Sequence, residues 1–231
     1  MIQINKAILI KIVLPIIAVL FAAQALAPAP AEAAFRFGLG NSAAKRAEAV
    51  MDEAIPASPV LILPVSPLQA TTSGQVIWPF GVQGGGHPQG HPGIDFQTVI
   101  GASVFASATA KVYKIEDDFT DGVLQKLIML ETANYQIVYV GSLINISVAA
   151  GDLVVKGQKI ADLGQFGLVS QPYGFVHWGV NARSLQTAVC PYNLMSSESQ
   201  RQLESLFARS TYFGQAQFPL ICNPCPAGGC R

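Results

Sequence analysis

Charge is what this sequence has least of. Only 12% of its residues are charged, the basic and acidic counts are equal at 14 each, and there are three histidines. A zero balance gives no electrostatic reason to expect nucleic acid or an acidic surface as partner. So few charges combined with 51% hydrophobic residues exclude a disordered chain. With 231 residues the chain is long enough for one or two domains with a real core. Its middle also lacks amphipathic helical stretches between strand-like runs, which excludes a doubly wound parallel sheet. Scarce histidine has a sharper consequence: a site needing several imidazoles must use nearly all of them.

What the chain does have begins with a hydrophobic leader. Lys6 and Lys11 precede an uncharged run from Ile12 to Ala23, followed by small residues and Ala31-Glu32-Ala33. This is the layout of a secretory signal with an A-x-A cleavage site. A cut after Ala27 would leave Pro28 next, a poor context. The apolar run falls short of the ~20 residues that span a bilayer, so membrane contact is expected only through this segment if it stays uncleaved. Export to the periplasm or the exterior is therefore expected. Cys190, Cys222, Cys225 and Cys230 then favour disulfides, with three possible pairings. A four-thiolate zinc site is the rival reading, since Cys222 and Cys225 have C-x-x-C spacing, but a second C-x-x-C is missing.

Past residue 33, Ser42–Ala54 reads as a short helix capped by Asn41 or Ser42. Pro56, Pro59, Pro64 and Pro67 then suggest an extended linker, because proline breaks helices and disfavours central strands. From Val76 to Leu194 short apolar runs alternate with glycines. Val104–Ile115, Leu124–Leu130, Tyr135–Val140, Leu153–Ile160 and Val176–Val180 are strand-like, with turns at Asp121-Gly122 and Gly151-Asp152. The fold class expected is mainly β, an antiparallel sandwich or barrel. A C-terminal helix is expected over Ser197–Arg209, with Ser197 and Gln200 as a capping box and Leu203, Leu206 and Phe207 facing the core. The expected divisions are a signal at 1–33, helix and linker at 34–74, the β domain at 75–195, and helix with Cys-rich tail at 196–231.

The stretch GGGHPQGHPGIDF, Gly84–Phe96, holds two of the three histidines. His91 and Asp95 stand four apart across Pro92-Gly93, a turn that lets both side chains converge. Imidazole nitrogen and carboxylate oxygen are good zinc donors, and His177 in FVHWGV is the candidate third. Three protein ligands with a fourth position open is the layout of a catalytic zinc site. His87, four residues before His91 on a glycine-opened loop, is a candidate surrogate base or additional ligand.

WPFG, HPGIDF, GASVFASATAKVYKIED, IVYVGSL, AAGDLVVKGQKIADLG, FVHWGV and CPYNLM follow one another between Trp78 and Met195. In this order they resemble the lysostaphin-type zinc metallopeptidases, the duplicated hybrid motif fold. The resemblance implies an antiparallel β domain with a groove, zinc at its floor, and hydrolysis of peptide bonds in bacterial peptidoglycan through a zinc-bound water. It also implies His91, Asp95 and His177 as metal ligands and peptidoglycan peptides as partners. Two departures stand beside it. The family's usual catalytic histidines fall on Ser142 and Phe175, and the often acidic place after the aromatic that follows the last ligand is Gly179. The alternative expectation is thus a catalytically weak or inactive pseudoenzyme that binds cell wall or regulates a partner cell-wall hydrolase.

Overall fold

A residue pattern of period two governs the chain wherever it forms a sheet, and the core lies on the apolar side of that pattern. In the computed structural model, the described residues are 55–56, 58–66, 68, 76–84, 86–120, 123–166, 172–184, 187–210, 220–225 and 229–230. All belong to the unit Ala47–Arg231. The expected signal, the expected helix at Ser42–Ala54 and the Asp121-Gly122 turn lie outside them. Among the described residues no helix is long and apolar enough to cross a membrane.

Twelve strands follow in order: β1 (Val65–Ser66), β2 (Val76–Trp78), β3 (Gly93–Thr98), β4 (Ser103–Phe105), β5 (Ala110–Thr120) and β6 (Val123–Glu131). Next come β7 (Tyr135–Gly141), β8 (Leu143–Ile144), β9 (Leu153–Val154), β10 (Lys159–Leu163), β11 (Gly174–Ala182) and β12 (Thr187–Val189). They form a small sheet ordered β1-β4-β10-β8 and a large one ordered β2-β3-β11-β7-β6-β5-β9, with β12 added beside β11. The pairings between these strands are antiparallel, as expected for short strands joined by tight turns, and two isolated bridges, Leu61–Met195 and Phe80–Cys222, are parallel.

Two expected strands are each split in two. Val104–Ile115 divides into β4 and β5, and Leu153–Ile160 into β9 and β10. In both cases the chain crosses from one sheet to the other. At the first crossing the Ser107 amide donates to the buried Tyr139 hydroxyl instead of to a neighbouring strand. At the second, Val155–Gln158 closes a turn through Gln158 N–H to Val155 O. The first corner falls among small buried residues and gives no sign of itself, whereas the second is marked by exposed Lys156 and by Gly157 at φ +85°.

The Pro-rich segment, which the prolines suggest is an extended linker, is attached over part of its length. Val65 pairs with Val104, Leu61 N–H donates to Leu194 O, and Ser196 N–H donates to Leu61 O. Leu61 and Val65 are buried. Proline removes its own donor but leaves neighbours free to bond, so such a segment can serve as a sheet edge.

The C-terminal helix, α1, spans Ser197–Phe207. Its cap lies one residue earlier than the sequence suggests: Ser196 Oγ accepts from Ser199 N–H, and Gln200 Nε2 donates to Tyr192 O. Leu203 and Phe207 are buried and Leu206 partly so. The cysteines pair Cys190–Cys222 and Cys225–Cys230. This excludes the four-thiolate alternative, because a disulfide sulfur has no thiolate to offer.

Beneath β7 and β11 lies a buried polar knot. Ser107 Oγ and Tyr139 Oη are 2.7 Å apart, and Trp178 Nε1 donates to Ser107 Oγ at 3.2 Å. Burial pushes the Tyr139 phenol up to about 12 against its hydrogen bonds, so it stays neutral. Trp178 and Tyr139 are register partners, each next to a residue on the opposite face of the sheet. The knot therefore fixes the floor on which the site stands.

Candidate metal centre

The central strands present two unlike faces. On β3, Ile94 and Phe96 go to the core while Asp95 and Gln97 take the other face. On β11, Val176, Trp178 and Val180 go to the core while Phe175 and His177 take the other. The strands pair antiparallel with His177 directly opposite Asp95. His91 enters from the loop that feeds β3.

Three donor atoms meet there. His91 Nε2 lies 3.0 Å from Asp95 Oδ1 and 3.0 Å from His177 Nδ1, and His177 Nδ1 lies 2.8 Å from Asp95 Oδ1. Among the described residues this is the group of His, Cys, Asp and Glu side chains that could hold a metal ion. Three donors on a tetrahedral ion at about 2.0–2.2 Å stand roughly 3.3–3.6 Å apart, so the observed triangle is slightly drawn in.

The protonation pattern is informative. His91 Nδ1 faces the Pro79 carbonyl at 3.1 Å. A carbonyl only accepts, so Nδ1 carries a proton and Nε2 is the ring nitrogen that faces the triangle. Asp95 adds a carboxylate oxygen. Burial works against its ionisation, but attraction to His91 and hydrogen bonds with both imidazoles outweigh burial and hold the carboxyl well below its usual range. Three such donor atoms brought this close together could hold a cation. Two imidazole nitrogens and one carboxylate oxygen fit zinc. The His91 side chain is fully buried, that of Asp95 is 10% exposed and that of His177 is 17% exposed, so access runs past His177.

Gly93 explains how the ring fits. A Cβ there would stand 2.6 Å from His177 Cε1 and 2.7 Å from Nε2. The turn glycine thus leaves room for the imidazole, a close approach that only glycine permits.

His87 stands outside the triangle but against it. Its ring centroid is 5.0 Å from that of His91 and 6.0 Å from that of Trp78, and Trp78 itself stacks on His91 at 5.1 Å. The loop around it is folded, with His87 N–H donating to Gly84 O and Gly90 N–H to His87 O.

Neither Ser142 nor Phe175 offers a mobile proton. The Ser142 hydroxyl donates to Gly164 O at 2.9 Å and accepts from Phe175 N–H at 3.2 Å, knitting the β7 exit to β11. Phe175 stacks on Phe166 with centroids 4.7 Å apart, and Phe166 in turn meets Tyr173. Tyr173 is a feature the sequence reading missed. Burial first, then the charge of Asp95, raises its phenol pKa, which puts its hydroxyl within the electrostatic reach of the site. Extending the alternation back along β11 would have found it, since 173, 175 and 177 share a face.

Comparison with known proteins follows the same stretch of chain. The model of Peptidase family M23 matches residues 89–189. Comparison with curated proteins gives no match. Among solved structures, Csd3 of Helicobacter pylori is 19% identical, with 64% of this chain and 40% of that one covered and a TM-score of 0.43. A zinc-containing peptidase from Vibrio cholerae is 26% identical, with coverages of 58% and 38% and a TM-score of 0.37. The catalytic domain of lysostaphin from Staphylococcus simulans is 23% identical, with coverages of 50% and 87% and a TM-score of 0.41. This chain therefore spans about two fifths of the first two proteins. The matched stretch, residues 89–189, carries both strands of the triangle and is similar to Peptidase family M23.

Proposed function

We propose that this is an exported zinc peptidase of bacterial peptidoglycan, with His91, Asp95 and His177 as the metal ligands. The observation that carries the reading is the buried triangle of donor atoms 2.8–3.0 Å apart, with His91 oriented by the Pro79 carbonyl. Zinc held there supplies Lewis acidity and lowers the pKa of a water towards ~7. The chain's own residues do the rest. Pro79 fixes the His91 tautomer, Asp95 keeps the site's charge compensated, and the β3–β11 register holds His177 opposite it. Phe166, Phe175 and Tyr173 line one side with aromatic surface against which a peptide can lie. His87 is proposed as the surrogate base, supported by its ring standing 5.0 Å from that of His91. Hydrolysis unchanged in His87→Ala would refute that role.

A second reading is favoured by Ser142 and Phe175. One hydroxyl is committed to a carbonyl and one side chain is apolar, so general acid–base help worth ~10²–10⁴-fold is missing from the two usual places. On this reading the domain keeps its groove to bind cell wall or a partner cell-wall hydrolase. Measuring zinc stoichiometry, then peptide release from peptidoglycan with and without chelator, decides between them. Slow, chelator-sensitive release is expected. Bound zinc with no release would leave the binding module.

A further inference from the structure

We propose that the Cys190–Cys222 disulfide is a positioning brace of the metal centre, tying the strand system of His177 to the segment that orients His91. The inference rests on the metal reading above. On one side, Cys190 directly follows β12, which pairs with β11 through Val180–Val189, Asn181–Ala188 and Ala182–Thr187. His177 lies three residues before Val180 on that strand.

On the other side, Cys222 forms a parallel bridge with Phe80. Phe80 N–H donates to Ile221 O at 3.1 Å, and the Phe80 carbonyl accepts from Asn223 N–H at 3.0 Å and from Asn223 Nδ2 at 3.1 Å. The tail thus acts as an added edge for Phe80. The two are pressed so close that a Cβ on Gly81, at φ +81°, would stand 2.1 Å from Asn223 O.

Phe80 sits in the middle of what holds His91. Pro79 O accepts from His91 Nδ1, Gly81 N–H donates to His91 O at 2.9 Å, and Val82 O accepts from His91 N–H at 2.9 Å. These three contacts flank Phe80 on both sides, so a displacement of Phe80 shifts the ring that must point Nε2 into the triangle. The family match ends at residue 189, just before Cys190, and the tail that completes the brace lies beyond it. The second disulfide, Cys225–Cys230, closes a short loop within the tail and serves as the control.

The test compares the full chain with the Cys190→Ser/Cys222→Ser and Cys225→Ser/Cys230→Ser double variants. Serine avoids new thiols that would themselves bind metal. Zinc affinity is read by competition with a chromophoric chelator, the cobalt(II) spectrum reports the ligand geometry, and near-ultraviolet circular dichroism confirms folding. Loss of the brace is expected to weaken zinc binding about 10–100-fold in the folded protein, as for an outer-shell partner, while the control stays close to the parent. Asn223→Ala, which keeps the disulfide, is expected to weaken binding about 2–10-fold, and it carries the test if the double variant does not fold. Equal zinc affinity in parent and brace variants would overturn the brace alone. No zinc uptake by the parent would overturn the metal reading, and the brace with it.

Discussion

His177 and Phe175 sit two residues apart on one strand and one face, yet they differ in what surrounds them. Around His177 stand groups that could ligate a cation, Asp95 opposite and His91 from the loop, with Gly93 leaving room for the ring. Around Phe175 the neighbours serve packing and strand connection: Phe166 stacks on it, and the Ser142 hydroxyl is spent on backbone partners. Along one strand face, three possible metal donors meet at one end, while the side chains at Ser142 and Phe175 are committed to backbone bonding and stacking. The contrast separates the residues that could bind a metal from those that could move protons, which makes the two properties separately testable.

The largest effect would come from breaking that contrast at Phe175. Phe175→His is expected to raise peptide release from peptidoglycan by about 10²-fold or more, towards the upper range for a positioned acid or base. Assay of newly released amino groups checks this, and an unchanged rate would mean that the groove is not poised for chemistry. Next, Asp95→Asn removes the charged donor. Zinc affinity should fall by more than the about 10–100-fold typical of losing an outer-shell partner, as read by chelator competition.

Stability against pH sharpens the same side of the comparison. The native pKa of Asp95 is depressed below the usual 3.8. Its contribution to the metal-free fold is therefore complete above that value and is lost as pH falls towards the native pKa, because the unfolded chain takes the proton first. Urea midpoints below pH ~4 should show a slope of about 1.4 kcal/mol per pH unit from this one group, absent in Asp95→Asn. The smallest effect belongs to Ser142→Ala. It should cost about 1–2 kcal/mol of stability through the unsatisfied Phe175 N–H and Gly164 carbonyl, with zinc affinity unchanged in the folded protein.

How much of this was legible in the sequence differs from element to element. β6, β7 and β11 follow their apolar runs to within a few residues, because each is buried on one face and alternates cleanly. The corner at Ser107 was hidden in a run of small residues, whereas the one at Val155–Gln158 is marked by exposed Lys156 and Gly157 that the strand reading ran through. Tyr173 was passed over because a tyrosine beside a glycine carries no motif of its own. The attachment of Leu61–Ser66 was masked by prolines whose neighbours do the bonding.

The sequence by itself narrowed the imidazoles available for a metal to His87, His91 and His177, and His91-Pro-Gly-Ile-Asp95 contains its own turn. It also shows serine at 142 and phenylalanine at 175, two side chains that are poor proton carriers near neutrality. What only the tertiary structure decided is which atoms meet. The antiparallel register sets His177 against Asp95 across 82 residues, the Pro79 carbonyl chooses the His91 nitrogen, and the tail bonded through Cys222 holds the segment that makes that choice. The reason is physical: donor chemistry is local to a side chain, whereas the few-ångström convergence that turns donors into a site depends on contacts between segments far apart in the chain.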